Sequence, residues 1–88
     1  MLLELQLMTL VQKQQYVNAL YYAHRYIGEF NNIGKDVALM VIFHVMNKRV
    51  VAKKHIAICL QLYRQIPATL YSHAKVQKLL TSLPFFHQ

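Results

Sequence analysis

Residues 50–66 read VVAKKHIAICLQLYRQI, and their apolar side chains recur every three or four positions. With a rotation of about 100° per residue, this spacing places them on one face of an α-helix. The predicted apolar face consists of Val51, His55, Ile58, Cys59, Leu62 and Ile66. The predicted polar face carries Arg49, Lys53, Lys54, Gln61 and Arg64. The pattern therefore predicts a two-sided helix over about residues 50–66, which Pro67 ends.

The segment before this helix is apolar on almost every side. Residues 37–46 are all apolar except His44. This pattern is typical of a helix at the centre of a domain, so we expect a buried helix over about residues 36–47. Its β-branched residues also allow a buried strand. No Gly or Pro separates it from the helix over 50–66, so the two helices could be continuous, with residues 47–49 as the only weak point.

The N-terminal part of the chain predicts one long helix. Thr9 and Gln12 have the spacing of a capping box, which marks a helix start. Gly28 is a residue type that commonly follows a helix end. We therefore expect a helix over about residues 10–27, preceded by an apolar lead-in, residues 2–8, that adds a helical turn or two.

Two further segments complete the predicted elements. The stretch 28–35 is rich in Asn and Gly, which favours a loop. Asp36 follows it, and a negative charge suits a helix start. Beyond Pro67 we expect a last helix over about residues 68–82. Its predicted inward side chains are Val76, Leu79, Leu80 and Leu83.

Turn residues are scarce along the whole chain. Two Gly and two Pro occur in 88 residues, whereas small β-folds need many tight turns. We therefore expect one domain, residues 1–88, that folds as an all-α bundle of about four helices. Apolar residues make up 56% of the chain, more than a core of this size needs. The surplus is predicted to face other protein subunits, among them copies of the same chain.

Groups for catalysis or metal binding are few. The chain has three acidic residues, five His without an H-x-x-x-H pair, and one Cys. His55 and Cys59 share a helix face, but two ligands do not make a metal site, and a free Cys usually packs as a small hydrophobe. No orienting third group accompanies a Cys–His nucleophile. We expect a protein that is not an enzyme and that uses no metal or other cofactor.

The sequence also bears on the compartment. A single Cys fits a reducing environment. The first residues lack the basic region and cleavage site of a signal peptide. The longest apolar run, residues 37–46 with His44 included, spans 10 residues, whereas a membrane-spanning helix needs about 20. These features predict a cytoplasmic protein without a membrane segment.

Basic residues are unevenly distributed along the chain. Residues 1–36 carry three basic and three acidic side chains, whereas residues 37–88 carry seven basic side chains and no acidic one. Such charges repel one another in the folded state, and a polyanion relieves the repulsion. Phosphate backbones are the commonest polyanions, so we expect nucleic acid as the partner. The predicted contact residues are Arg49, Lys53, Lys54, Arg64, Lys75 and Lys78.

Other interpretations of the charge and of the aromatic residues stay open. The basic residues could bind an acidic protein or a membrane surface, or form a solvated face. Four tyrosines, which could stack on bases, lie within one predicted helix: Tyr16, Tyr21, Tyr22 and Tyr26. They spread around that helix, which is more typical of core and interface aromatics than of a stacking platform.

A basic, all-helical chain of this size resembles the small subunit of a type I CRISPR effector complex. The resemblance is carried by the apolar segment 37–46 and by the acid-free basic run Lys48, Arg49, Lys53, Lys54, Arg64, Lys75 and Lys78. Small subunits of that family are short helical bundles that stack along the complex. They support the displaced DNA strand through basic faces and contact no base specifically. The resemblance implies binding to a nucleic-acid backbone, without sequence specificity, inside a complex for antiviral defence.

Two other classes of function fit the same residues. One is a helix-turn-helix DNA-binding protein with residues 49–66 as its recognition helix. That helix offers Lys and His near its start, where Asn or Gln beside Arg would read bases. The other class is a helical protein–protein interaction module, in which the apolar surplus docks to a partner helix.

Overall fold

The computed structural model describes residues 2–67 and shows an all-α fold there. Its four helices, in chain order, are α1 Leu2–Gln12, α2 Tyr16–Tyr26, α3 Asn32–Met46 and α4 Lys53–Arg64. A short 3-10 turn at Ile27–Glu29 joins α2 to α3. The predicted fold class, a small all-α bundle of about four helices, is confirmed. The helix predicted over 68–82 lies outside the described residues.

Helix α3, like α2, packs against each of the other three helices. Its side chains are buried on most sides, as predicted for residues 36–47, and the alternative of a strand is excluded. The helix begins earlier than predicted because Asn31 caps it. The Asn31 side-chain oxygen accepts a 2.9 Å hydrogen bond from the N–H of Gly34, which satisfies a donor of the first turn. The loop predicted over 28–35 is accordingly shorter, and Asp36 lies inside α3.

Helix α4 is separate from α3. Residues 47–52 leave the helical path, so a continuous helix through this region is excluded. The apolar face predicted for 50–66 is observed, with its buried members in the second half of α4 and just beyond it, while His55 and Ile58 are half-buried. Ile56 is also buried. Helix α4 packs against both α2 and α3, so a wider arc of its surface is buried than a single neighbouring helix would cover.

The single helix predicted over 10–27 is wrong, because the chain breaks between α1 and α2. Gln14 has a φ of 60°, in the left-handed region that non-glycine residues seldom adopt. The N–H of Gln15 bonds to the carbonyl of Leu10 at 2.9 Å and closes the turn. The lead-in 2–8 is therefore most of α1 itself.

Two predictions about helix ends are also corrected. Thr9 is not an N-cap, since its hydroxyl donates a 2.9 Å hydrogen bond to the carbonyl of Leu5 inside α1. Gly28 does not stop a helix in the left-handed conformation, since its φ is not positive. Helix α2 instead tightens into the 3-10 turn, which ends with the N–H of Phe30 bonded to the carbonyl of Ile27 at 3.2 Å.

One hydrophobic core holds the four helices together. Its largest fully buried side chains come from every helix and include Leu7, Leu20, Ile42 and Leu62. Within residues 2–67, no helix is both long and apolar enough to span a bilayer. The core fixes the orientation of α4 and thereby decides which of its residues face outward.

Candidate nucleic-acid interface

The connection between α3 and α4 concentrates positive charge at one end of the bundle. Lys48 and Arg49 lie in the connection, and Lys53 and Lys54 are the first two residues of α4. All four side chains are exposed, and we call this group the basic turn. Val50, between the two pairs, is 85% exposed, so the connection itself stands out into solvent.

The outer face of α4 continues from the basic turn. Gln61 and Arg64 are exposed on the side of α4 that carries Lys53. Arg64 is eleven residues beyond Lys53, which is about 16 Å along a helix axis. Lys53, Lys54 and Arg64 therefore lie on the outer side of α4, and Arg49 is exposed in the connection before it. The other predicted contact residues, Lys75 and Lys78, lie outside the described residues.

The start of α4 is arranged in favour of an anion. Its N-cap is Ala52, which has no side-chain acceptor, and its first turn contains no acidic residue. The first bonded N–H groups are those of His55 and Ile56, which both donate to the carbonyl of Ala52, at 3.0 and 3.2 Å. The N–H groups of Lys53 and Lys54 have no acceptor within the helix.

The two pairs of cations in the basic turn differ in how they interact with the helix dipoles. Lys48 and Arg49 follow the C-terminus of α3, where cations interact favourably with the helix dipole. Lys53 and Lys54 stand at the N-terminus of α4, where the same dipole disfavours cations. Helix electrostatics therefore favour the first pair of cations and disfavour the second.

The acidic residues lie towards the other end of α3. Glu29 is in the 3-10 turn before α3, and Asp36 is in its first half. Eleven residues, or about 16 Å of helix, separate Asp36 from Asn47 at the end of α3. This exceeds the Debye length of about 8 Å at physiological ionic strength. The carboxylates of α3 and the 3-10 turn therefore do little to neutralise the basic turn.

Glu4, the third acidic residue, makes a structural hydrogen bond inside the fold. Its side chain is buried, and its Oε2 accepts a 2.9 Å hydrogen bond from the backbone N–H of Asn31. This hydrogen bond is the main reason that the pKa of Glu4 is lowered from its ordinary value. Glu4 thus stays charged at the start of α3 and is not available to the basic turn.

Cys59 and His55 are two further titratable residues of α4. Cys59 is fully buried, and the loss of solvation raises its pKa to about 12, so the thiolate is strongly disfavoured. His55, one turn before Cys59, packs on Tyr21. Among residues 2–67 no three His, Cys, Asp or Glu side chains are grouped so as to hold a metal ion.

Aromatic side chains fall into an inner and an outer set. Tyr22 lies between Tyr26 and Phe30, with ring centroids 4.9 and 6.4 Å away. Tyr21 faces outward, 40% exposed, and its ring meets the His55 imidazole edge to face at 5.7 Å. The sequence did not single out Tyr21, because its position next to the basic turn depends on the packing of α2 against α4.

A second exposed surface is apolar. Leu2, Leu5 and Met8 recur every three residues along α1 and are 81%, 52% and 37% exposed, whereas Leu7 is fully buried. Helix α1 therefore has one face in the core and an apolar face in solvent. We call the three exposed residues the α1 apolar stripe.

Comparisons with known proteins add no further constraint. Protein-family models, curated proteins and solved structures were each searched, and none matches this chain. The functional argument therefore depends on the geometry and charge of the residues themselves.

Proposed function

We propose that this chain is a non-catalytic subunit of a nucleoprotein complex and binds a nucleic-acid backbone without sequence specificity. The observation that carries the proposal is the position of Lys53 and Lys54. Both are exposed in the first turn of α4, where their charges oppose the helix dipole. The fold gains nothing from them there, whereas a phosphate would be attracted by both side chains and by the open N–H groups beside them.

The outer face of α4 extends this contact. Arg49 precedes Lys53 and Lys54, and Arg64 follows about 16 Å further along the helix. Point charges spread along a surface in this way can contact several phosphates of one backbone, and phosphate contacts position a protein without reading sequence. Lys75 and Lys78, the remaining predicted contacts, lie outside the described residues. Binding by such a track weakens steeply with salt, because counterions compete for the phosphates.

Two observations favour this function over a helix-turn-helix protein. The connection of residues 47–52 is longer than the turn of about three or four residues in that motif. The outer face of α4 offers Gln61 as a base-reading side chain, but it lies two turns from the helix start, whereas recognition helices read bases near their N-terminus.

The α1 apolar stripe supports membership of a larger assembly. Exposed apolar side chains in a row are typical of a protein–protein contact, and the stripe leaves the basic turn free for nucleic acid. Other protein subunits, including copies of this chain, are the expected partners. The small subunit of a type I CRISPR effector complex is one setting that would use both surfaces.

The test is a salt titration of binding to random-sequence single- and double-stranded DNA. Lys53→Ala with Lys54→Ala should weaken binding to all sequences alike and lower the slope of log affinity against log salt by about two. Lys13→Ala with Lys35→Ala, which removes the same charge elsewhere, is the matched control and should change both quantities much less. Unchanged affinity and slope in a folded Lys53→Ala/Lys54→Ala variant would show that this face is only solvated.

A further inference from the structure

We propose that Tyr21 stacks on an unpaired base, so that the basic turn holds single-stranded nucleic acid in preference to a duplex. This inference rests on the proposed function, because it adds one base contact to a set of phosphate contacts. It gives Tyr21 a role in binding and specifies that the preferred nucleic acid is single-stranded.

The first step is the position of the Tyr21 ring. Tyr21 is exposed on α2, and its ring centroid lies 5.7 Å from that of His55. His55 directly follows Lys54 in the first turn of α4. On a helix with about 100° per residue, His55 is closer in angle to Lys54 than to Lys53. The Tyr21 ring therefore borders the basic turn on the side that carries Lys54.

The second step is how far neighbouring side chains cover the faces of the Tyr21 ring. Tyr21 meets His55 with an interplanar angle of 83°, and such an edge-to-face contact covers at most one face of the ring. Tyr16 differs, since it stacks flat on His44 at 4.3 Å with an interplanar angle of 11°. Tyr16 is also half-buried, whereas Tyr21 is 40% exposed, so Tyr21 is the better placed of the two to accept a stacked base.

The third step is the charge around the ring. Arg25 lies one turn beyond Tyr21 on α2 and is also exposed. Its guanidinium lies 5.3 Å from the centroid of the Tyr26 ring and so interacts with that residue. Across the helix interface, the His55 that Tyr21 contacts directly follows Lys54. An exposed ring beside a basic group is an arrangement that binds single strands, in which phosphates alternate with exposed base faces.

A duplex would offer phosphates to the basic turn but no free base face to the Tyr21 ring, because its bases are stacked on each other inside the helix. A single strand offers both phosphates and free base faces. The stacking contribution of one aromatic ring is large enough to measure and does not depend on base identity. The strand preference is therefore compatible with binding that reads no sequence.

The experiment compares four probes by fluorescence anisotropy with the full chain: oligo(dT) and oligo(rU) of about 15 nucleotides, an abasic DNA backbone of the same length, and a duplex. Tyr21→Ala should weaken binding to oligo(dT) and oligo(rU) by about 5- to 100-fold and leave the abasic probe unchanged. Tyr21→Phe should keep wild-type affinity, because it keeps the ring. Tyr21→Leu, which keeps an apolar contact with His55 without a ring, should behave as Tyr21→Ala does.

The outcomes separate this inference from the proposed function. If wild type binds the abasic probe as tightly as oligo(dT), or if Tyr21→Leu binds oligo(dT) normally, stacking is overturned while backbone binding stands. If wild type binds none of the probes, both proposals fall. Lys53→Ala with Lys54→Ala should weaken all four probes, the abasic one included.

Discussion

The carboxylate of Glu4 accepts a hydrogen bond of 2.9 Å from the backbone N–H of Asn31, 27 positions later in the chain. The bond joins the first turn of α1 to the residue that caps α3. Asn31 in turn accepts from Gly34 with its side chain, so Glu4, Asn31 and Gly34 form one connected group. This group holds α1 against the start of the central helix.

Acid should weaken the protein through Glu4. Its pKa is lowered in the folded state, so its contribution to stability is present above the ordinary glutamate pKa of about 4.3. That contribution is lost as the pH falls through the lowered value. Thermal denaturation across pH should show a drop in Tm below about pH 4.3. Glu4→Gln should be less stable at neutral pH and lose less stability in acid.

The control for this measurement is Glu29→Gln, which removes an exposed carboxylate with the same change in charge. A Glu4→Gln variant with the wild-type profile from neutral to acid pH would contradict the role assigned to the Glu4–Asn31 bond.

Gly34 permits this group to pack closely, and we expect Gly34→Ala to destabilise the fold. A Cβ at this position would lie 2.7 Å from Cγ of Glu4 and 3.0 Å from Cβ of Phe30. Overpacking of this kind costs about 1–3 kcal/mol, which outweighs the gain of about 1 kcal/mol in helix propensity at most. Chemical denaturation should show a lower free energy of unfolding.

Gly28→Ala is the matched control, since a Cβ there meets nothing within 4 Å and the backbone φ is not positive. It should leave stability unchanged or raise it by about 0.4–1 kcal/mol. Equal effects of the two substitutions would show that Gly34 is not closely packed against Glu4 and Phe30.

Reversing the charges at the start of α4 should separate stability from binding. Lys53→Glu with Lys54→Glu places negative charges where the helix dipole favours them, and each reversal should contribute roughly 0.3–1 kcal/mol. The variant should melt at a higher temperature and lose its affinity for nucleic acid. Calorimetry and a binding titration on the same sample measure both quantities.

Lys48→Glu with Arg49→Glu provides the comparison, because these residues follow the C-terminus of α3. The same change in charge should lower the melting temperature there. If both double variants shifted stability in the same direction, the helix dipoles would not explain the difference between the two pairs of cations.

The α1 apolar stripe should mediate association. Leu5→Gln with Met8→Gln replaces two exposed side chains, so it should change stability by less than about 0.5 kcal/mol while reducing self-association. Sedimentation velocity across a concentration series measures the effect. Leu7→Ala, from the buried face of the same helix, should instead cost about 2–5 kcal/mol. A wild-type monomer at all concentrations, with no binding of an apolar dye, would contradict the prediction.

The sequence predicted α3 and α4 well because their hydrophobic patterns are strong. An all-apolar segment is typical of the centre of a small domain, although it also allowed a strand, and the two-sided pattern of 50–66 is typical of a surface helix. The exposure of Lys53, Lys54 and Arg64 then follows from the burial of Cys59 on the other side of α4.

Other features depend on interactions that a local pattern does not contain. Residues 13–15 have ordinary helix-forming side chains, yet Gln14 adopts a positive φ because α1 folds back to pack on α2 and α3. Asn31 belongs to a stretch typical of loops, and only its hydrogen bond to Gly34 makes it a cap. Tyr21 becomes part of the candidate site only because α2 lies against α4.

The separation of charge along α3 also has a consequence for how the protein meets a polyanion. Helix α3 is 15 residues long, or about 22 Å, with carboxylates towards one end and the basic turn beyond the other. Under the proposed function, the field of a phosphate backbone would turn a molecule with this asymmetry before contact, so that the start of α4 would lead. The association rate would then fall as added ions screen that field.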